Sequence, residues 1–259
     1  MRVATSKDGT ELAYDVAGNG PALVYITGAT CFRRFRPIAA DAKVFSTEFT
    51  VYNYDRRGRG DSGDTLPYSV EREVDDIEAV VDAAGGRAVL YGHSSGAALA
   101  LEAALRMPEK VDRVVAYDAS YVHDEVERVS YAELAKKVRV LVDGGENGRA
   151  LKVFLKGIGM PGAFVGLLPL FPGWKTMKAL APTLMYDIAI TEDVPPVGRF
   201  AGIEVPVRIV VGEKSPPELH QVARALADAV PGSTHRVLPG QNHMVGAKKL
   251  LPILTAANT

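Results

Sequence analysis

The sequence predicts an α/β protein: a doubly wound, mostly parallel, eight-stranded sheet with a helical cap inserted after the sixth strand. Three observations carry this. Short apolar runs alternate with longer stretches whose apolar residues recur at helical spacing. That alternation breaks between about Ser120 and Ile190 and then resumes. Finally, Gly92-His93-Ser94-Ser95-Gly96 joins a strand-like run directly to an apolar helix-like one. A turn of that kind holds a side chain up at the carboxyl edge of a sheet, where open α/β sheets keep their ligand crevices.

The elements follow in order. Residues Arg2–Val16 read as a hairpin, with Asp8-Gly9 as the tight-turn signal. Ala22–Ile26 is apolar throughout, as a strand covered on both faces must be. Pro37–Phe45 reads as a short helix and Phe49–Tyr54 as a strand. A Gly-rich loop, Asp55 to Gly63, leads to an amphipathic helix over Ser69–Ala84, which Gly85-Gly86 closes. Arg87–Tyr91 is the strand before the central turn, and Ser95–Met107 is the helix after it, stopped by Pro108. Val111–Tyr117 is the sixth strand and ends at Asp118.

The next stretch contains helices around Tyr131–Val142, Gly148–Gly157, Ala163–Leu168 and Trp174–Leu180. It is rich in large apolar residues, among them Phe154, Phe164, Phe171, Trp174 and Met177. Such a segment packs on itself, and its apolar underside suits an acyl or aryl pocket. Val205–Val211, Pro217–Ala229, Thr234–Leu238 and Met244–Ala256 then restore the strand–helix alternation. The division is therefore a core of residues 1–119 and 191–259 and a cap of residues 120–190.

Composition narrows the function. A net charge of -1 gives no electrostatic case for nucleic acid or an anionic membrane. The single cysteine, Cys31, allows no intrachain disulfide and no thiolate metal site. The Gly-rich loop lacks the Gly-Lys-Ser/Thr of a phosphate cradle. No run of about 18 apolar residues is present, and the first residues lack the apolar stretch of a signal peptide. A cytoplasmic protein with a small-molecule substrate and no cofactor or metal is the expectation, with the oligomeric state left open.

Ser94 is the candidate nucleophile and His243, in the late Gln241-Asn242-His243, the candidate base. A serine hydroxyl attacks poorly near neutral pH unless a base takes its proton, and imidazole can take it and later return it. His93 is expected to pack beside the turn, and His123, His220 and His235 to be ordinary exposed residues. Arg33, Arg34, Arg36, Arg56, Arg57 and Arg59 are best read as ties between neighbouring turns through carboxylates such as Asp55 and Asp61.

Over essentially its whole length the chain resembles the α/β-hydrolase superfamily, above all its bacterial, esterase-like single-domain members. The resemblance rests on the Thr27-Gly28 turn, the Asp55-to-Ser62 loop, the Gly92-to-Gly96 elbow, the late Gln241-Asn242-His243 and the helical insert. It implies an oxyanion hole built from the backbone N–H groups of Ala29 and Ser95. Many relatives carry His-Gly where this chain has Thr27-Gly28. Relatives usually place the acid of a Ser-His-Asp set just after the seventh strand, where this chain has Ser215. Three alternatives follow: Asp118 supplies the carboxylate from the sixth strand, Glu213 supplies it, or Ser94 and His243 act as a dyad. The activity implied is that of a serine hydrolase cleaving a small ester with an apolar acyl or aryl group. A lyase, cyclase, acyltransferase or cofactor-free perhydrolase, or a non-catalytic binding protein, is the alternative on the same fold.

Overall fold

The computed structural model describes residues 1–171 and 173–256; residue 172 of the expected cap and residues 257–259 of the expected core lie outside the described residues. In chain order the structure runs β1 (Arg2–Thr5), β2 (Glu11–Ala17), β3 (Ala22–Ile26), α1 (Arg36–Phe45), β4 (Thr50–Tyr54) and α2 (Val70–Ala83). It continues with β5 (Ala88–His93), α3 (Ser95–Arg106) and β6 (Val111–Tyr117). Then come α4 (Glu125–Asp143), α5 (Asn147–Gly157), α6 (Gly162–Leu167), α7 (Trp174–Ala179), α8 (Leu184–Thr191) and α9 (Val197–Phe200). The chain closes with β7 (Val207–Gly212), α10 (Pro217–Ala229), β8 (Thr234–Leu238) and α11 (Ala247–Thr255).

The eight strands form one sheet in the order β1-β2-β4-β3-β5-β6-β7-β8. The β1–β2 and β2–β4 pairs are antiparallel, and every other pair is parallel. This is the doubly wound, mostly parallel eight-stranded sheet that the alternation predicts, and the architecture that the resemblance implies. Its parallel centre brings the carboxyl ends of β3, β5, β6 and β7 to one edge.

Side chains alternate across the central strands and so fill two layers. Val24, Leu90 and Ile209 face a layer made by Val74 and Ile77 of α2, Leu99 of α3 and Leu226 of α10. Leu23, Val89 and Tyr91 face the opposite layer, made by Ile38 and Phe45 of α1 and Leu250 and Leu254 of α11. The helices between β6 and β7 have their own apolar cluster, including Val138, Leu151, Phe154 and Leu184. Ala29, in the loop after β3, packs against it. Phe164, Leu167, Leu170 and Phe171 of that region are exposed instead. Among the described residues no helix is long and apolar enough to cross a membrane.

Several boundaries differ from the sequence reading. The helix expected from Tyr131 begins at Glu125, because Asp124 caps it by accepting the Glu127 N–H at 2.8 Å. Val126 and Val129 are exposed in its first turns, which hid the start from a reading based on apolar spacing. The short helices α8 and α9 were not expected. The last helix begins at Ala247 rather than Met244, with Gly246 as its N-cap.

Close approach explains the glycines of the central turn. A Cβ on Gly96 would lie 2.2 Å from the Ile26 carbonyl oxygen, and one on Gly92 would lie 2.4 Å from the Gly96 carbonyl oxygen. Both obstacles are backbone and cannot rotate away. Gly96→Ala is therefore expected to destabilise the protein by about 3 kcal/mol, the upper range for overpacking. Gly166→Ala, on α6 with nothing within 4 Å of the added carbon, is expected to leave the urea midpoint unchanged or slightly raised. Equal midpoints for the two variants would contradict this account.

Candidate active site

Strain concentrates at the carboxyl edge of the sheet. Among the described residues, the non-glycine residues with positive φ are Thr30 (60°), Ser94 (59°) and Asp118 (46°). They follow β3, β5 and β6, which are neighbours in the sheet. Each such conformation costs on the order of 1–3 kcal/mol and persists only where the surroundings enforce it.

At Ser94 the enforcement is visible. Its N–H donates to the Tyr117 carbonyl at 3.0 Å, and its own carbonyl accepts from the Ala97 N–H at 2.9 Å. A Cβ on Gly28 would come within 2.9 Å of the Ser94 Cβ, so the loop after β3 lies directly against this residue. The Ser94 hydroxyl sits 3.0 Å from the Ser120 hydroxyl. Among the described residues that is its hydrogen bond; the His243 ring is not its partner.

Asp118 is 1% exposed and its carboxylate is saturated with donors. Oδ1 accepts the Gly212 N–H at 3.0 Å, and Oδ2 accepts the Ser215 hydroxyl at 2.6 Å. Oδ2 also lies 3.0 Å from Nδ1 of His243. Ser215, standing where relatives usually have the acid, thus donates to the carboxylate supplied by the adjacent strand. Glu213 is engaged elsewhere, its Oε2 accepting the Gly240 N–H at 2.7 Å. An imidazole held by a buried carboxylate at Nδ1 keeps Nε2 free to accept a proton, and the carboxylate stabilises the imidazolium that results.

Two further bonds tie down the loop carrying His243. The Tyr117 hydroxyl donates to the Asn242 carbonyl at 2.7 Å, and His93 Nε2 lies 2.8 Å from the His243 carbonyl. A carbonyl only accepts, so His93 is the donor at Nε2. The two imidazole rings are 4.8 Å apart. Burial, then the neighbouring His243, pushes the His93 pKa down to about 4, so it donates as a neutral ring. Since His93 directly precedes Ser94, this contact brings the expected base to the rim that holds the expected nucleophile.

Residues 17–247 match the profile of the alpha/beta hydrolase family. The chain belongs to the alpha/beta hydrolase family. It is 37% identical to an alpha/beta hydrolase from Sphaerobacter thermophilus, whose crystal structure superposes with a TM-score of 0.87 over 98% of each chain. It is 27% identical to 2-(acetamidomethylene)succinate hydrolase of Mesorhizobium japonicum, over 88% of this chain and 83% of that one. The enol-lactonase of Burkholderia xenovorans shares the fold at a TM-score of 0.72 and 21% identity, over 98% of this chain and 96% of that one.

In this alpha/beta hydrolase Arg33, Arg56, Arg57 and Arg59 are ion-paired in the interior, whereas Arg34 and Arg36 are exposed, Arg34 lying 3.3 Å from Asp61. Arg33 reaches Asp55 at 2.6 Å and Asp61 at 2.7 Å, the carboxylates expected from sequence. Arg57 pairs with Asp76 through two 2.7 Å bonds, and Arg56 grips Glu73 through bonds of 2.6 and 2.7 Å. Arg56 and Arg59 also meet Asp187 of α8, a residue the sequence reading passed over. Burial acts to raise the Asp187 carboxyl, but the Arg59 and Arg56 guanidiniums outweigh it and hold the group below the ordinary carboxylate range. A lone acid in the apolar run Leu184–Thr191 was the available signal. Ser120 was also missed, and nothing in its spacing marks it.

Ser95 follows Ser94 in the chain, and Gly28, the residue before Ala29, lies against Ser94 from the other side. Ser95 opens α3, so its N–H has no acceptor within the helix. His123 corrects an expectation. Its side chain is 19% exposed and pairs with Glu127 and Asp124, because the start of α4 folds back over it. Glu127, then burial, shifts its pKa, with the hydrogen bond dominating and the net direction upward.

Proposed function

We propose that this protein is a serine hydrolase that cleaves a small carboxylic ester through an acyl-enzyme on Ser94. The observation that carries the reading is the 3.0 Å contact between His243 Nδ1 and the buried Asp118 carboxylate, at the strand edge where Ser94 is held in a strained turn. Family membership supports it.

Turnover begins when the Ser94 hydroxyl leaves Ser120 for His243. Its oxygen then attacks the ester carbonyl carbon while the proton passes to Nε2. The C=O π pair moves onto oxygen, where the N–H groups of Ala29 and Ser95 receive it. Collapse of that intermediate breaks the bond to the alcohol, which takes the proton from the imidazolium. Water then attacks the acyl carbon with His243 again as base, releasing the acid and restoring Ser94. Asp118 holds the ring by Nδ1, which leaves Nε2 to take and return the proton. The apolar cluster of the insert, which packs against Ala29, favours an apolar acyl or aryl group.

A fluorophosphonate probe tests the reading. The folded protein is expected to gain one adduct, mapped by peptide mass spectrometry to the segment containing Ser94. A folded protein that stays unlabelled at millimolar probe, or is labelled at another serine, would overturn it.

A further inference from the structure

One carboxylate from the inserted helices reaches both sides of the turn around Ser94. Asp187 on α8 is 1% exposed. Its Oδ1 accepts the Ser95 hydroxyl at 2.7 Å and Arg56 Nη1 at 2.8 Å, and its Oδ2 accepts Arg59 Nη2 at 2.7 Å. Arg59 in turn donates from Nη1 to the Gly28 carbonyl at 2.7 Å, and Arg56 from Nη1 to the Thr27 carbonyl at 3.1 Å. Both arginines are buried, at 1% exposure or less.

The peptide geometry makes this directional. In a trans peptide the C=O and the following N–H point to opposite sides. The cis bond among the described residues is Leu66–Pro67, so the Gly28–Ala29 peptide is trans. Pinning the Gly28 carbonyl to Arg59 therefore turns the Ala29 N–H to the opposite face of the loop. On the other side, the bond to the Ser95 hydroxyl anchors the residue whose N–H opens α3. We infer that Asp187 is the positioning residue of the oxyanion hole: through Arg59 it sets the plane of the Gly28–Ala29 peptide, and through the Ser95 hydroxyl it seats the second donor. This rests on the reading of Ala29 and Ser95 given above.

The experiment compares wild type, Ser94→Ala, Asp187→Asn, Ser95→Ala and the double variant Arg59→Met/Asp187→Leu. It measures kcat and KM on p-nitrophenyl acetate, Ki for a trifluoromethyl aryl ketone, and the melting temperature. The ketone adds the serine oxygen and forms a tetrahedral oxyanion, so its affinity follows the hole and not the ground-state pocket. Asp187→Asn is expected to lower kcat about 10–100-fold, less than outright loss of a donor, with KM within about twofold. The ketone Ki is expected to rise by the same factor as kcat/KM falls. Ser95→Ala, which removes the hydroxyl's bonds to Asp187 and from Arg56, is expected to lose several-fold in kcat. The double variant removes both charges together and leaves no lone buried ion; it folds where Asp187→Asn does not and is expected to show the same loss.

Folded variants that keep kcat within about threefold, or that lose kcat with no change in the ketone Ki, would overturn the assignment. Turnover present in wild type, lost in Ser94→Ala and retained in Asp187→Asn defeats this inference alone. Wild-type protein with no Ser94-dependent turnover defeats the serine-hydrolase reading, and this inference with it.

Discussion

Ser94→Ala is expected to lower kcat for a p-nitrophenyl ester by about 10⁶-fold, equivalent to about 8 kcal/mol of barrier. His243→Ala is expected to cost about as much, and the double variant little more, because the hydroxyl and the ring act as one unit. A residual rate about 10³-fold above buffer should persist, supplied by the oxyanion donors and by binding. The loss is not expected to come from unfolding. The strained φ of 59° is enforced by the Ser94 N–H bond to Tyr117 and by the flanking glycines, all of which alanine preserves. Steady-state kinetics with melting temperatures decides the matter: a folded Ser94→Ala protein with more than a few per cent of wild-type kcat would remove the nucleophile assignment.

The second large effect is at the carboxylate. Asp118→Asn is expected to lower kcat by about 10⁴-fold, or about 5 kcal/mol. Asparagine can still accept from Gly212 or Ser215, but it cannot stabilise the imidazolium, and its amide favours the wrong tautomer of the ring. Ser215→Ala, which deletes one of three donors to the carboxylate and leaves its charge, is expected to cost only about 10-fold. Glu213→Gln is expected to stay within about twofold, since that carboxylate serves the Gly240 N–H. Wild-type kcat in Asp118→Asn would favour the two-residue dyad, and a large loss in Glu213→Gln would move the acid to the seventh strand.

The fold was legible because its signals are local. The change from a compact apolar run to helical spacing across Gly92–Gly96 needs no tertiary information, and the same holds for the strand runs and their breaking glycines. Candidate residues at strand ends were legible too, because a parallel sheet gathers its carboxyl ends at one edge. Partner choice was not. Asp118 meets His243 across 125 positions of sequence because β6 pairs with β7 and β7 with β8, gathering their carboxyl ends at one edge. Nothing in the order of residues states that Ser215 would turn its hydroxyl to that carboxylate while Glu213 turned away. The start of α4 was lost to exposed valines, although Asp124 and Glu127, three residues apart, carry the polar signature of a helix start. Asp187 was readable in principle, as a charge that an apolar helix tolerates only when opposite charges meet it.

The burial of Asp187 bears on how this protein can be re-engineered. Exchanging the whole helical region between relatives is an obvious route to new substrate preference. Here a transplant cut at Ile190 would carry away the anion that Arg59 needs in the interior, leaving a stranded cation at a cost of about 3–5 kcal/mol. Junctions before Glu125 and before Leu184 keep that anion with the sheet, and the incoming helices must then fit Leu184 and Ile188 of α8.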